Sequence, residues 1–322
     1  MRLEPWMLHA DWRADRRAWL WIDLAAWPVD CAIEPLPPVP VIALGSSTHL
    51  QAVLADVVLE PGFTLAALAA PIERNPLTAA ALVHLLRATG GIAVQAALMA
   101  ESFAFATLQG GAEHRAWIAD QSHDSAKPGT VRIAREGATL HLTLDRPHAH
   151  NAIDRAIRDA LFDGFALANA DDSVREIRLN ATGRAFSTGA DLAEFGTTRD
   201  PPAAHLIRAR TLPAWPLLRR HGRFTVEVNG ACVGSGLELA AFADRLVATR
   251  RAWFQLPELA MGVIPGFGGT VSLPRRIGRQ RAALLMLSGR RIPAATALRW
   301  GLVDALVDDL SGDDGRADEP GG

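Results

Sequence analysis

With 322 residues, a mass of 34.5 kDa, 49% hydrophobic and 21% charged residues, the chain has the make-up of one large globular domain or two ordinary ones. A formal net charge of -2 without a basic stripe excludes the electrostatic footprint of a nucleic-acid binder, and no run of about 18 apolar residues is present to span a membrane. Cys31 and Cys232 allow at most one disulfide and match no zinc spacing, and the N-terminal stretch MRLEPWMLHADWRADRRAWLW lacks a clean apolar leader, so a reduced, cytoplasmic protein is expected.

Up to about residue 127 the chain is rich in Ala and Leu. The stretches VPVIALG (39–45) and DVVLEPG (56–62) close on turn residues and predict short strands. NPLTAAALVHLLRATGG (75–91) has a proline near its start and Leu77, Ala81, Leu82, Leu85 and Leu86 at helical spacing. It stops at a double glycine, which marks both ends of a helix. Two more helices are predicted over 92–111 and 112–119, and the polar run DQSHDSAKPGT (120–130) reads as a linker or long turn.

Beyond the linker the period changes. TVRIAREG and TLHLTLDRP alternate, with Val131 and Ile133, then Leu140, Leu142 and Leu144, and predict a hairpin. AIDRAIRDALFDGFALAN returns to helical period, placing Ile153, Ile157, Leu161 and Phe165 on one stripe. REIRLNATG predicts a strand, HLIRARTLPAWPLLRR a proline-interrupted helix, FTVEVNGACVG one strand, and DRLVATRRAWFQL a further short strand and turn. Repeated strand–helix units give an α/β class with a largely parallel sheet. From Asp308 onward six carboxylates face one arginine, a composition that is not expected to order itself. The expected organisation is an atypical N-terminal segment (1–127), a catalytic core (128–307) and an acidic tail (308–322).

Two glycine-bearing turns follow predicted strands. In GRAFSTGADLAEFG (183–196), Gly189 permits a tight turn that aims the Ala190 amide at a ligand oxygen, or the stretch is a turn without function. In VNGACVGSGLELAAFAD (228–244), the Ser235 amide precedes an apolar helical run. Two such amides converging from different loops make an oxyanion hole. No histidine lies near Ser235 in sequence, so its N–H rather than its hydroxyl is the candidate group. Glu238, bracketed by Leu237, Leu239, Ala240 and Ala241, is either a first-turn acid favouring the helix dipole or a carboxyl tuned by burial. Glu258, after Pro257, is a second acid in apolar surroundings, and the two invite shared acid and base duties if the fold joins them. PGFGGT (265–270) reads as a phosphate cradle without its lysine or as a helix-initiating turn, and Asp191 as a cap. No metal is expected at RPHAHN (146–151).

From about residue 130 to 307 the chain resembles the enoyl-CoA hydratase/isomerase (crotonase) superfamily. The resemblance rests on LTLDRPHAHNAI, GRAFSTGADLAEF, VNGACVGSGLELAAFADRLVAT, FQLPELAMGVIPGFGGTVSLPRRIG and LSGRRIPAATALRWGLVDALV, in family order. It implies a ββα-superhelix (spiral) core, here with an additional, mostly helical N-terminal segment. It implies an oxyanion hole of the Ala190 and Ser235 amides for a thioester carbonyl, with Ser235 where glycine is more usual, and Glu238 and Glu258 as the catalytic pair. Ala185, Gly189, Ala190, Asp191, Leu192, Gly234 and Ser235 fall where the family meets its acyl-CoA. His148 stands where many relatives carry a lysine that meets coenzyme phosphate. Family members continue beyond the GLVD segment through helices that complete the coenzyme A pocket and a trimer or hexamer. The helices predicted over 75–119 resemble those, relocated to the front.

The activity implied is hydration of an enoyl-CoA, a lyase reaction, with coenzyme A part of the substrate and no tightly bound cofactor or metal. Isomerisation, thioester hydrolysis or carbon–carbon cleavage would use the same hole, and a non-catalytic scaffold would keep the fold without the chemistry. The implied partners are an acyl-CoA and further copies of the chain, with no nucleic acid and no membrane.

Overall fold

A computed structural model describes residues 1–3, 16–27, 36–121 and 126–310. Cys31, part of the linker and residues 311–322 of the acidic tail lie outside the described residues. Strands β1 (Leu20–Asp23), β2 (Val41–Leu44) and β3 (Val57–Val58) form a small parallel sheet in that order. Its pleat divides the apolar residues. Ile42 and Val57 enter the main core, while Val41, Ala43 and Val58 join Leu20 and Ile22 in a separate cluster. The sequence pattern marks β2 and β3 but not β1, a strand of four residues.

Helices α1 (Leu65–Arg74), α2 (Pro76–Ala88), α3 (Val94–Gln109) and α4 (Ala112–Ala119) follow. The last three fall where the sequence predicts them. The pattern of α1 is obscured by Pro71 inside it. Strands β4 (Thr130–Glu136) and β5 (Thr139–Asp145) pair antiparallel as the expected hairpin, with Leu140, Leu142 and Leu144 buried on one face. Helix α5 (Arg155–Ala170) starts at Asp154, whose side chain accepts from the Ile157 N–H, and buries Ile157, Leu161 and Phe165 completely.

Strands β6 (Glu176–Ala181) and β7 (Ala185–Ser187) precede α6 (Pro201–Thr211) and α7 (Ala214–Leu217), which Pro213 separates as expected. The single strand expected over 224–234 is instead two, β8 (Arg223–Val228) and β9 (Ala231–Val233), in different sheets. The chain steps between them at Gly230, where a Cβ would lie 2.1 Å from the Arg184 carbonyl oxygen, so only glycine passes. Helix α8 (Ser235–Ala240), β10 (Arg245–Thr249), β11 (Trp253–Gln255), α9 (Gly269–Ile277), α10 (Arg279–Ser288), β12 (Ile292–Pro293), α11 (Ala294–Trp300) and β13 (Ala305–Val307) complete the described fold.

The larger sheet runs β13-β10-β8-β6-β5-β4, parallel except for the β4–β5 hairpin, and the smaller runs β12-β11-β9-β7, parallel except for β11–β12. This is the α/β, crotonase-like architecture with an extra helical segment. One buried cluster extends from Ile42 through Leu68, Leu82 and Phe105 to Leu142, Leu237 and Val303, so the front helices share the core of the sheets. Polar ties cross the same boundary: Asn75 Nδ2 donates to the Leu259 carbonyl at 2.8 Å, and Arg281 Nε to Glu60 Oε1 at 2.7 Å.

Candidate active site

The four-stranded β12-β11-β9-β7 sheet ends where two glycine turns meet. Gly189 follows β7 with φ 95°, and Gly234 follows β9 with φ 49°. A Cβ on Gly189 would come within 3.3 Å of the Val233 carbonyl oxygen and 3.6 Å of the Gly234 Cα, so the two loops touch backbone to backbone. Ser187 braces the first loop, its hydroxyl donating to the Asn151 carbonyl and accepting from the Gly189 N–H. The next residue in each loop is Ala190 or Ser235. Neither amide donates to another group among the described residues, and both residues line a cavity of about 680 Å³. Two free N–H groups beside one cavity are the donor arrangement that a developing oxyanion requires.

Two buried glutamates, Glu238 and Glu258, line that cavity, and a third, Glu101, is bound behind them to the same turn as Glu238. Glu238, in the first turn of α8, is 1% exposed, and its Oε2 accepts from the Phe267 N–H at 2.6 Å and the Gly269 N–H at 2.9 Å. Glu258 opens the 3-10 turn Glu258–Met261. A Cβ on Gly234 would lie 2.8 Å from its Oε1, and its Oε2 has no partner among the described residues. Glu101, on α3, accepts from the Gly268 N–H at 2.7 Å, the Thr270 N–H at 2.8 Å and the Thr270 hydroxyl at 2.6 Å. The glycine-rich turn that reads in sequence as a phosphate cradle thus spends its amides on two of the chain's own carboxylates.

Burial pushes all three acids up. Glu238 moves well above the usual carboxylate range, with the charges of Glu258 and Glu101 adding to burial and the two amides opposing it. Glu258 is pushed up to about 8 by burial, with a smaller contribution from Glu101. Glu101 rises to about 7, burial outweighing its Thr270 and Gly268 donors and the nearby Arg208 charge.

Gly189, Ala190, Asp191, Leu192, Gly234, Ser235, Glu238 and Glu258 all line the cavity. Ala185 does not; it is buried in β7, where its carbonyl accepts from Asn151 Nδ2. Asp191 caps the turn after Ala190 through the Ala193 N–H and pairs with the buried Arg146 at 2.7 Å. His148 is exposed and away from the cavity wall. Phe267 lines the cavity, whereas Phe254 is fully buried and Trp253 stacks under Arg291. Sequence patterns did not point to Glu101, Phe105, Gln109 or Arg208. The one signal for Glu101 is a carboxylate inside an otherwise apolar helical run. Among the described residues no cluster of His, Cys, Asp or Glu gathers to hold a metal, and no helix is long and apolar enough to cross a membrane.

The enoyl-CoA hydratase/isomerase family model matches residues 134–311, and the chain belongs to that family. It is 38% identical over 176 residues to the mevalonyl-coenzyme A hydratase of Beauveria bassiana, covering 52% of this chain and 63% of that relative's length. It is 34% identical over 178 residues to the 1,2-epoxyphenylacetyl-CoA isomerase of Escherichia coli, covering 54% of this chain and 68% of that one. The crystal structure of enoyl-CoA hydratase from Thermoplasma volcanium superposes with a TM-score of 0.51 at 36% identity, over 56% of this chain and 72% of that chain. The matches therefore cover little more than half of the chain. The chemistry of the relatives is acyl-CoA chemistry of more than one kind.

Proposed function

We propose that the protein is an enoyl-CoA hydratase. The observation that carries this reading is the meeting of two buried glutamates, Glu238 and Glu258, with two undonated amides at one cavity. A thioester carbonyl held by the Ala190 and Ser235 N–H groups is polarised, its β-carbon becomes electrophilic, and the charge of the enolate falls on donors already in place. Water between the glutamates adds its oxygen to the β-carbon. The ionised member of the pair takes a proton from that water, and the protonated member delivers one to the α-carbon. Carboxyls shifted above their ordinary range suit both duties near neutral pH. The groups act as a coupled pair sharing a proton, so the pH profile belongs to the pair.

Glu101 and the front helices complete this site in our reading, supplying the wall that the family builds from the other end of its chain. We also propose a closed homo-oligomer, a trimer or hexamer, in the cytoplasm, with the acidic tail outside its interfaces.

The test is loss of the conjugated thioester absorbance of enoyl-CoAs on mixing with purified protein. Glu258→Gln is expected to lower kcat about 100-fold or more while leaving KM within about threefold. A variant that turns over like the wild type refutes the two-acid mechanism and moves the reading to an isomerase or thioester hydrolase. A chain that binds acyl-CoA but converts none of these thioesters is the non-catalytic scaffold.

A further inference from the structure

Arg208 projects from α6 into the wall of the same cavity. Two neighbouring arginines on that wall have acidic partners. Arg155 faces Glu194 at 3.7 Å, and Arg158 binds Asp159 at 2.7 Å. Arg208 has none within 4.0 Å among the described residues; of its N–H groups, one reaches the Ala204 carbonyl at 3.3 Å and one Gln109 Oε1 at 3.2 Å. A guanidinium carries five N–H donors, and a largely buried one without a counter-charge is costly unless an anion meets it.

The group is nonetheless held in place. Its Cζ lies 3.7 Å from the centroid of the Phe105 ring, a stacked cation–π contact. The ring in turn presses on Gly266, where a Cβ would come within 2.2 Å of it. Gly266 precedes Phe267, the residue whose N–H donates to Glu238. The chain of contacts from the reacting carboxylate to the cation is Glu238, Phe267, Gly266, Phe105, Arg208. Arg208 therefore stands on the wall of the cavity that holds the reacting carboxylate, within the same connected set of contacts. The acids that Arg208 senses electrostatically, Glu101 and Glu238, are the ones burial holds toward the neutral form, so they offset its charge poorly.

We infer that Arg208 binds a carboxylate carried at the far end of the substrate's acyl group, which makes the substrates coenzyme A thioesters of unsaturated dicarboxylic acids. The inference rests on the acyl-CoA reading above and deepens it. Its carboxylate recognition is independent of the reaction, because an arginine fork binds a carboxylate whether or not water adds nearby.

Calorimetric titration with saturated thioesters, which cannot react by hydration, tests it. Succinyl-, glutaryl- and adipyl-CoA are compared with butyryl-, pentanoyl- and hexanoyl-CoA, each pair matched in chain length, with free CoA alongside. At least one dicarboxylic thioester is expected to bind about tenfold or more tighter than its match. Arg208→Met should reduce that ratio to about twofold or less and leave free CoA and the monocarboxylic thioesters within about threefold. Wild-type ratios within about twofold for every pair overturn the inference, and so does a methionine variant that weakens free CoA and all thioesters alike, since the cation would then serve the coenzyme phosphates. Should Arg208→Met fail to melt cooperatively, the wild-type ratios and Arg208→Lys, expected to keep part of the preference, decide it. Absence of binding by any thioester overturns the acyl-CoA reading together with this one; binding without discrimination overturns this one alone.

Discussion

Gly234 occupies a point where backbone conformation and chemistry coincide. Its φ of 49° places it in the left-handed region, and a Cβ there would lie 2.8 Å from Glu258 Oε1. Gly234→Ala is therefore expected to keep the sheets but push the carboxylate aside and turn the Ser235 amide. Losing one oxyanion donor costs about 10²–10³ in kcat. Steady-state kinetics together with a thermal melt check this; unchanged kcat in a folded variant would remove both groups from the reaction. Glu258 gives a second prediction at this scale. Its folded pKa of about 8 is raised above its unfolded value, so its stability contribution is fully present below the unfolded value and is lost as pH rises through about 8. Glu258→Gln mimics the protonated acid at every pH. The variant should gain stability relative to the wild type between about pH 5 and pH 8, by at most ~1.4 kcal/mol per pH unit. Denaturant melts at several pH values measure the difference, and a gap independent of pH would refute the raised value.

Glu101 ties helix α3 to the turn that starts α9. Its carboxylate collects two amides and a hydroxyl from Gly268 and Thr270, while Glu238 collects the alternate amides of Phe267 and Gly269. The four-residue turn is thereby held from two sides. Glu101→Leu leaves buried N–H groups without acceptors, at about 1–3 kcal/mol each. It also frees the turn that orients Glu238. The expected result is a fall in melting temperature together with a lower kcat and an altered pH profile. Glu101→Gln, which keeps one acceptor oxygen, should restore part of each. Loss of stability with an unaltered pH profile would make Glu101 a structural clamp only.

At the scale of the whole molecule, the front helices and the sheets share a core. Leu68, Ile72, Leu82, Val83 and Leu86 are buried in the same cluster as Leu285, Leu259 and Met261. Each such side chain contributes about 1.5–3 kcal/mol by burial, against a total stability of about 5–15 kcal/mol for a typical domain. Deleting residues 1–125 should then yield an insoluble or non-cooperative remnant; a truncated chain that melts sharply and stays active would refute the proposal that these helices complete the catalytic core. Asp308, the first residue of the expected acidic tail, pairs with Arg250 at 2.9 Å on the surface. Light scattering should give a trimeric or hexameric mass that is unchanged when residues 311–322 are removed. A monomer at micromolar concentration contradicts the assembly, and a mass that falls on removal contradicts the placement of the tail.

Local periodicity and turn chemistry by themselves determined the β4–β5 hairpin, the stripe of α5, the break before α7 and helices α2, α3 and α4. These depend on residues within one or two turns of each other. Ordered motifs also placed Ala190, Ser235, Glu238 and Glu258 as a candidate set. The split of β8 from β9 falls at Asn229 and Gly230, a local turn signal. The assignment of the two strands to different sheets and the close Arg184 carbonyl that excludes a side chain at Gly230 belong to the tertiary structure. The position of Glu101 was likewise decided in three dimensions, by donors 169 residues away. Arg208 in sequence is one basic residue on a mixed helix; only the closing of α3 over α6 puts Phe105 beneath it. Desolvation and unpaired charge are properties of what surrounds a group on every side. Those surroundings come from distant parts of the chain, so the fold decides them and a local pattern cannot.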